Sequence, residues 1–296
     1  MRDLLGFVPF RIAAALFGAL PEPWMRWLGE RGGRLWCRWS GKRVLLAHHQ
    51  RRIAGTEISD AEVDHRVAGM FSSYGRYWAE TFWLRPRRHR AVCDRVERHR
   101  FDIIDRAKEE GNGIIFAIPH LGSWEVAGLV GDEIGVRCLA VAEHLSNQRI
   151  TNWFVDIRNQ LGIDIVLTSD PKRNSTLIRR LKSGGAIALL ADRDVTGRGL
   201  WTEFFGEEAK MPSGPAALAD LTGAALIPVG AYYRQGAGHR IVIHEPVRIP
   251  DLETREQRVA AGAALLAGRL EAIIREAPEQ WHLFQPNWPS DPGYPT

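Results

Sequence analysis

His120 and Glu125 stand five residues apart, just beyond the apolar run Ile114–Ile118. An imidazole whose one ring nitrogen is held by a carboxylate offers the other as a base near neutral pH, which is the chemistry needed to take a proton from a hydroxyl. On a regular helix five residues lie roughly 140° apart, so these two side chains share no helix face. They meet only if His120 precedes the helix. The local sequence reads that way. Ile114–Ile118 is short, β-branched and stopped by Pro119, which predicts a buried parallel strand. Leu121-Gly122-Ser123 makes a turn, and Ser123 stands where an N-cap would open a helix at Trp124. Taken alone, the pair equally describes a strand-end histidine and a surface glutamate.

More ionisable residues fall at the ends of predicted strands. Glu143 follows a strand over 137–142, and Asp192-Arg193-Asp194 follows one over 186–191. Ligands in open α/β sheets bind outside the carboxyl ends of the strands, so convergence of His120, Glu143 and this trio on one sheet edge would make a site. The plain alternative for the trio is a turn with surface ion pairs, worth little energetically. Arg158 lies on a helix expected over 147–161, and a structural ion pair with Glu143 is the plain alternative to a role in a site. Gly and Pro punctuate a loop over 204–215 that delivers Ser213 to a helix start. Free backbone N–H groups there can meet a phosphate or a developing oxyanion.

These residues need a scaffold that alternates helix and strand. From residue 101 onward that alternation predicts an α/β fold with a mostly parallel central sheet flanked by helices. The helices fall over 101–110, 124–134, 147–161, 175–183, 213–222 and 254–277, the last followed by a proline-rich tail over 278–296. The strands fall over 114–118, counted as the first of the sheet, 137–142, 163–167, 186–191, 225–233 and 240–243. A long helix over 59–82 opens with Ser59 as N-cap and Glu62 completing a capping box, and carries Tyr74, Tyr77, Trp78 and Phe82 at helical spacing. The expected organisation is one domain over 1–296, with N-terminal interfacial helices over 1–58, a catalytic core over 59–288 and a tail over 289–296. No Gly-rich dinucleotide or phosphate loop follows any strand, and no Gly-x-Ser-x-Gly elbow is present.

Composition narrows the class. The 296 residues are 45% hydrophobic and 25% charged, the balance of a globular protein. Three scattered cysteines argue for neither a disulfide framework nor a zinc site and point to a reduced compartment. The net charge of +4 and pI near 9.1 come from arginine runs over 34–52 and 85–100. Such runs suit an anionic lipid surface or an acidic substrate, and with no nucleic-acid module in the chain, nucleic acid is the weakest partner. Residues 4–20 are apolar but carry Arg11 and Pro9, too short and too charged to span a bilayer, and no convincing signal-peptide cleavage site follows. Residues 24–39 interleave tryptophan with arginine, the composition of a helix lying in the membrane interface.

His120-x4-Glu125 between a strand and a helix resembles the signature of the glycerolipid and lipid A acyltransferase superfamily. Six further blocks, over 73–80, 141–145, 191–194, 204–207, 211–216 and 280–286, are similar to its lipid A and phosphatidylinositol mannoside acyltransferase family, in family order. The resemblance implies a peripheral enzyme on the cytoplasmic face of the plasma membrane. It would move an acyl chain from acyl-CoA, a co-substrate, to a glycolipid hydroxyl, the mannose 6-hydroxyl of a phosphatidylinositol mannoside, with no cofactor or metal. His120 matches the general base. Asp192 stands where the family carries a glutamate that pairs with that histidine, and Glu125 matches the acidic end of the motif, so two carboxylates compete to orient His120. Glu143 and Arg158 match residues near the acceptor cavity, donors near Arg193 would hold the oxyanion, and Asp194 and Ser213 belong to the same region. Phe204, Phe205 and Met211 would face an acyl tail. Other readings are a lipid A-type acceptor, a thioesterase, and a non-catalytic acyl-CoA or lipid-binding protein.

Overall fold

Short apolar strands and amphipathic helices alternate along most of the chain in the computed structural model, which describes residues 2–295 and the side chains from residue 6 onward. Helices α1 (Arg2–Ala19), α2 (Glu22–Cys37), α3 (Arg43–Ala54), α4 (Asp60–Trp83) and α5 (His89–Cys93) come first. Then follow β1 (Val96–His99), α6 (Asp102–Glu110), β2 (Ile114–Ile118), α7 (Trp124–Glu133), β3 (Cys138–Ala142), α8 (Gln148–Gln160), β4 (Asp164–Leu167), α9 (Arg173–Lys182) and β5 (Ala186–Leu190). The chain closes with β6 (Leu200–Phe204), β7 (Glu207–Met211), α10 (Gly214–Thr222), β8 (Ala225–Tyr233), β9 (His239–Ile243) and α11 (Arg255–Arg275).

The main sheet has seven strands in the order β1-β9-β8-β2-β5-β3-β4. All neighbours are parallel except β8 and β9. The fold is thus the expected α/β architecture with a mostly parallel sheet between helices. β2 lies near its centre, and all five of its residues are buried, as a strand covered on both faces must be. Ser59 caps α4 by accepting from the Glu62 amide. α11 carries a full capping box between Thr254 and Gln257.

Three expectations are corrected. Ile114–Ile118 is not the first strand of the sheet: β1 precedes it, an edge strand on β9. Residues 200–211 are not an open loop but a hairpin, closed by Phe205 and Gly206, both with positive φ. The proline-rich C-terminal stretch, read as a tail, packs into the core. Trp281 and Trp288 are fully buried, and Asp291, within the segment set aside as tail, is buried against His48 and His49 at 2.9 Å each.

α2 meets α4 through glycines. A methyl on Gly33 would strike the Phe71 carbonyl at 1.9 Å, and one on Gly75 the Gly29 carbonyl at 2.1 Å, so the two backbones touch where no side chain fits. This close approach turns the opposite side of α2 outward. Trp24, Trp27, Leu28 and Leu35 remain exposed, as do Arg31 and Arg34 between them and Trp39 beyond. No helix among the described residues is long and apolar enough to cross a membrane.

Candidate active site

β2 ends at Ile118 and hands the chain to His120 in the turn before α7. The turn requires Gly122: its φ is +57°, and a Cβ there would sit 2.1 Å from the Ala231 carbonyl. The segment after α11 clamps the same turn. Gly122 donates its N–H to the Gln280 carbonyl at 3.0 Å, and His282 donates its N–H to the His120 carbonyl at 2.7 Å. Ser123 stands at the N-cap of α7 without a side-chain capping bond.

Asp192, two residues beyond the end of β5, is the imidazole's partner. Its Oδ1 accepts from His120 Nδ1 at 2.7 Å, while its Oδ2 accepts from the His120 backbone N–H at 3.0 Å and from the Trp281 indole N–H at 2.6 Å. Complete burial pushes this carboxyl upward, but the imidazole, the indole and the backbone N–H outweigh it and hold its pKa below the ordinary 3.8. An ionised carboxylate has no proton to give, so Nδ1 carries a hydrogen, and in the neutral imidazole the lone pair is on Nε2. Nε2 has no protein partner among the described residues, and the ring lines a cavity of about 710 Å³. The shorter aspartate therefore reaches the histidine at full hydrogen-bond contact.

Glu125 is built into a different cluster. It is buried on the first turn of α7, where its Oε1 accepts from the Arg158 guanidinium at 2.8 Å and from the Tyr77 hydroxyl at 3.1 Å. Burial and then the nearby Glu125 charge raise the Tyr77 pKa far above 10.0, so it stays a phenol and a donor. Burial works against the Arg158 charge, but Glu125 and Tyr77 more than restore it. Glu125 Oε2 is buried without a partner, in the wall of the same cavity.

The cavity is lined by residues from both faces of the sheet, since successive Cβ atoms of β5 alternate. Phe116, Cys138, Ala188 and Leu190 pack in the apolar cluster of one face and Leu189 in that of the other. Arg173, Arg193, Arg198 and Ser213 also line the cavity. Arg193 donates to Glu143 at 2.9 Å, so the ion pairs are Arg193–Glu143 and Arg158–Glu125, and Arg158 does not pair with Glu143. Asp194 lines the cavity too, but its carboxylate organises the 194–199 loop, accepting from the Thr196 and Gly199 amides at 2.8 and 2.6 Å. Phe204 and Phe205 do not line it. Both are buried against Trp281 and Trp288, because the hairpin turn folds them into the core, and Met211 is buried with them. Their expected contact with an acyl tail is withdrawn.

His282, which the sequence reading leaves without a role, also lines the cavity. Burial, then the neighbouring His120, push its pKa down to about 3, so it is a neutral imidazole, with Nε2 2.9 Å from Ser73 Oγ and Nδ1 unpartnered. Trp281 is the other missed residue. The signal for both was an indole and an imidazole side by side in a stretch otherwise read as a tail. No group of metal-ligating side chains is found among the described residues.

A sequence model described as bacterial lipid A biosynthesis acyltransferase matches residues 9–290. The phosphatidylinositol mannoside acyltransferase of Mycobacterium tuberculosis is 34% identical over 277 residues, covering 92% of this chain and 85% of that protein. Its counterpart in Mycolicibacterium smegmatis is 33% identical, over 93% of this chain and 89% of that protein. A lipid A biosynthesis acyltransferase of Haemophilus influenzae is 20% identical, over 94% of this chain and 82% of that protein.

Proposed function

The chain belongs to the bacterial lipid A biosynthesis acyltransferase family, and from that premise we propose that it moves a fatty acyl chain from acyl-CoA to a mannose hydroxyl of a phosphatidylinositol mannoside. The observation that carries the reading is the His120–Asp192 pair, whose free Nε2 opens on a cavity lined by apolar residues and by arginines. The acyl chain lies against the apolar lining, and the phosphates of CoA meet Arg173 and Arg198. His120 Nε2 takes the proton of the acceptor hydroxyl, whose oxygen attacks the thioester carbonyl. The oxyanion is held near Arg193, and collapse of the tetrahedral intermediate breaks the C–S bond. The proton on His120 then passes to the departing thiolate. Neither a cofactor nor a metal takes part. Glu125 Oε2 and the His282 ring, both buried in the cavity wall with unused hydrogen-bonding capacity, receive the other sugar hydroxyls.

In this reading the protein lies peripherally on the cytoplasmic face of the plasma membrane, and the exposed tryptophans and arginines of α2 support an interfacial position, with indole rings at headgroup depth and guanidinium groups on anionic phosphates. The mycobacterial relatives, more similar over a like span, favour this acceptor over a lipid A precursor.

The test is release of CoA from palmitoyl-CoA by the purified protein, alone and with phosphatidylinositol mannosides or a lipid A precursor. Release stimulated by the mannosides, and reduced about 10²–10⁴-fold in His120→Ala, is expected. Acceptor-independent release would indicate a thioesterase. Equal inactivity of wild type and variant despite tight acyl-CoA binding would indicate a binding protein.

A further inference from the structure

Positive charge gathers at the end of α1, away from the acyl-transfer cavity. Arg85 donates to the Ala14 carbonyl at 3.2 Å, and Arg87 and Arg88 donate to the Gly18 carbonyl at 3.4 and 3.0 Å. These contacts satisfy the negative end of the helix. Arg85 also joins Arg11 in lining a second cavity, of about 280 Å³, between α1 and α8, with Trp153, Asp156 and Gln160 on its other wall. Burial, then the like charges of Arg87 and Arg11, lower the Arg85 pKa.

The position of this cavity on α1 suggests what would enter it. Val8, Ile12 and Leu16 recur every four residues, within an arc of about 80°, and each is at least half exposed. Phe10, about 160° from Val8, packs edge-on against Phe82 and Trp153. Ala15 and Arg11 fall between, about 20° and 60° to one side of Val8. The cavity thus opens where the apolar stripe gives way to the protein body, the level at which headgroups would lie if the stripe were seated in a bilayer.

We propose that this cavity binds the phosphate of an anionic phospholipid from the bilayer that receives α1. The proposal rests on the membrane reading given above. Guanidinium groups fit phosphate oxygens in a fork, and Arg11 and Arg85 lack any carboxylate in ion-pair contact among the described residues. Asp156 at the rim sets a limit on ligand charge: it opposes a multiply charged free phosphate more than a singly charged phosphodiester.

Flotation of the full chain with vesicles of phosphatidylcholine, alone or mixed with phosphatidylglycerol, tests this. Arg11→Gln is the variant of choice because Arg11, unlike Arg85, makes no hydrogen bond to an α1 carbonyl. The gain in binding on adding phosphatidylglycerol is expected to fall about fivefold in Arg11→Gln, the worth of one cation near an anionic surface. It should fall less in Arg11→Lys, which keeps charge without the fork. Arg179→Gln, on the exposed side of the remote α9, should leave it unchanged. Equal losses in Arg11→Gln and Arg179→Gln would mean diffuse surface charge and overturn the proposal, as would no loss in either. Protection of wild type by inorganic phosphate against heating, absent in Arg11→Gln and with no vesicle effect, would overturn the lipid assignment in favour of a free phosphate. If Ile12→Asn abolishes binding to phosphatidylcholine vesicles but Arg11→Gln changes nothing, the membrane reading stands and the lipid site falls. Wild type that binds no vesicle overturns both.

Discussion

Asp192 and Glu125 are both carboxylates buried beside one cavity, both motif residues, and both able to orient His120 as far as the sequence reveals. Their surroundings divide them. Asp192 faces only neutral N–H donors besides the imidazole: the Trp281 indole and the His120 backbone. Glu125 faces a guanidinium and a phenol. A carboxylate whose charge is not already shared with a cation is free to stabilise an imidazolium, as the base role proposed for His120 requires. One already paired with Arg158 has its charge committed and serves the geometry of the cavity wall. The difference lies in partners brought from α4, α8 and the C-terminal segment, not in the carboxylates themselves.

The strongest way to break this comparison is Asp192→Asn. Oδ2 accepts two N–H groups, so the asparagine carbonyl must take that place and its NH₂ must face Nδ1. The ring is then driven to the tautomer with hydrogen on Nε2, and the base is lost. A fall in kcat of about 10² or more is expected, with the melting temperature little changed. Trp281→Phe removes one of the two donors holding Oδ2 while keeping most of the ring volume. It should lower kcat about tenfold, the worth of one hydrogen bond to a charged group. Glu125→Gln should do the reverse of Asp192→Asn. Arg158 loses its counter-charge in a buried site, so thermal denaturation should show a loss of about 3 kcal/mol, with KM for the acceptor raised and kcat nearly kept.

A separate effect is a pH dependence of stability. His282 binds a proton at about pH 3 in the folded chain against 6.5 ordinarily. Between those values the unfolded chain holds the extra proton, so stability falls as pH falls from about 6.5. Asp192, whose folded pKa lies below 3.8, adds stability above that value and loses it as pH falls through its folded pKa. Melting curves should therefore show acid destabilisation beginning near pH 6.5 in wild type and only nearer pH 4 in His282→Gln. Superimposable profiles would contradict the burial assigned to His282.

Much of this was legible in the sequence. The strand–His120–helix unit follows from an apolar β-branched run cut by Pro119, and the alternation after residue 101 carries the sheet. What stayed hidden has particular causes. β1 reads Val-Glu-Arg-His, a strand made by its backbone pairing with β9 rather than by an apolar pattern. The hairpin β6–β7 was obscured by Phe205, a residue that rarely takes positive φ. The C-terminal segment looked like a tail because prolines exclude regular structure. Its order comes instead from Trp281, Trp288 and Asp291, each satisfied by a partner far away in sequence. The choice between the two carboxylates depended on that segment, and no local pattern contains it.

The central claim is that Asp192, and not Glu125, holds His120 as the base. It is tested most directly by measuring kcat for acceptor-dependent CoA release in Asp192→Asn and Glu125→Gln side by side, with the melting temperature of each. Asp192→Asn should lose about 10² or more in kcat while remaining folded, and Glu125→Gln should keep kcat within a few-fold while melting earlier. The opposite pattern, with Glu125→Gln the slower enzyme and Asp192→Asn close to wild type, would contradict it.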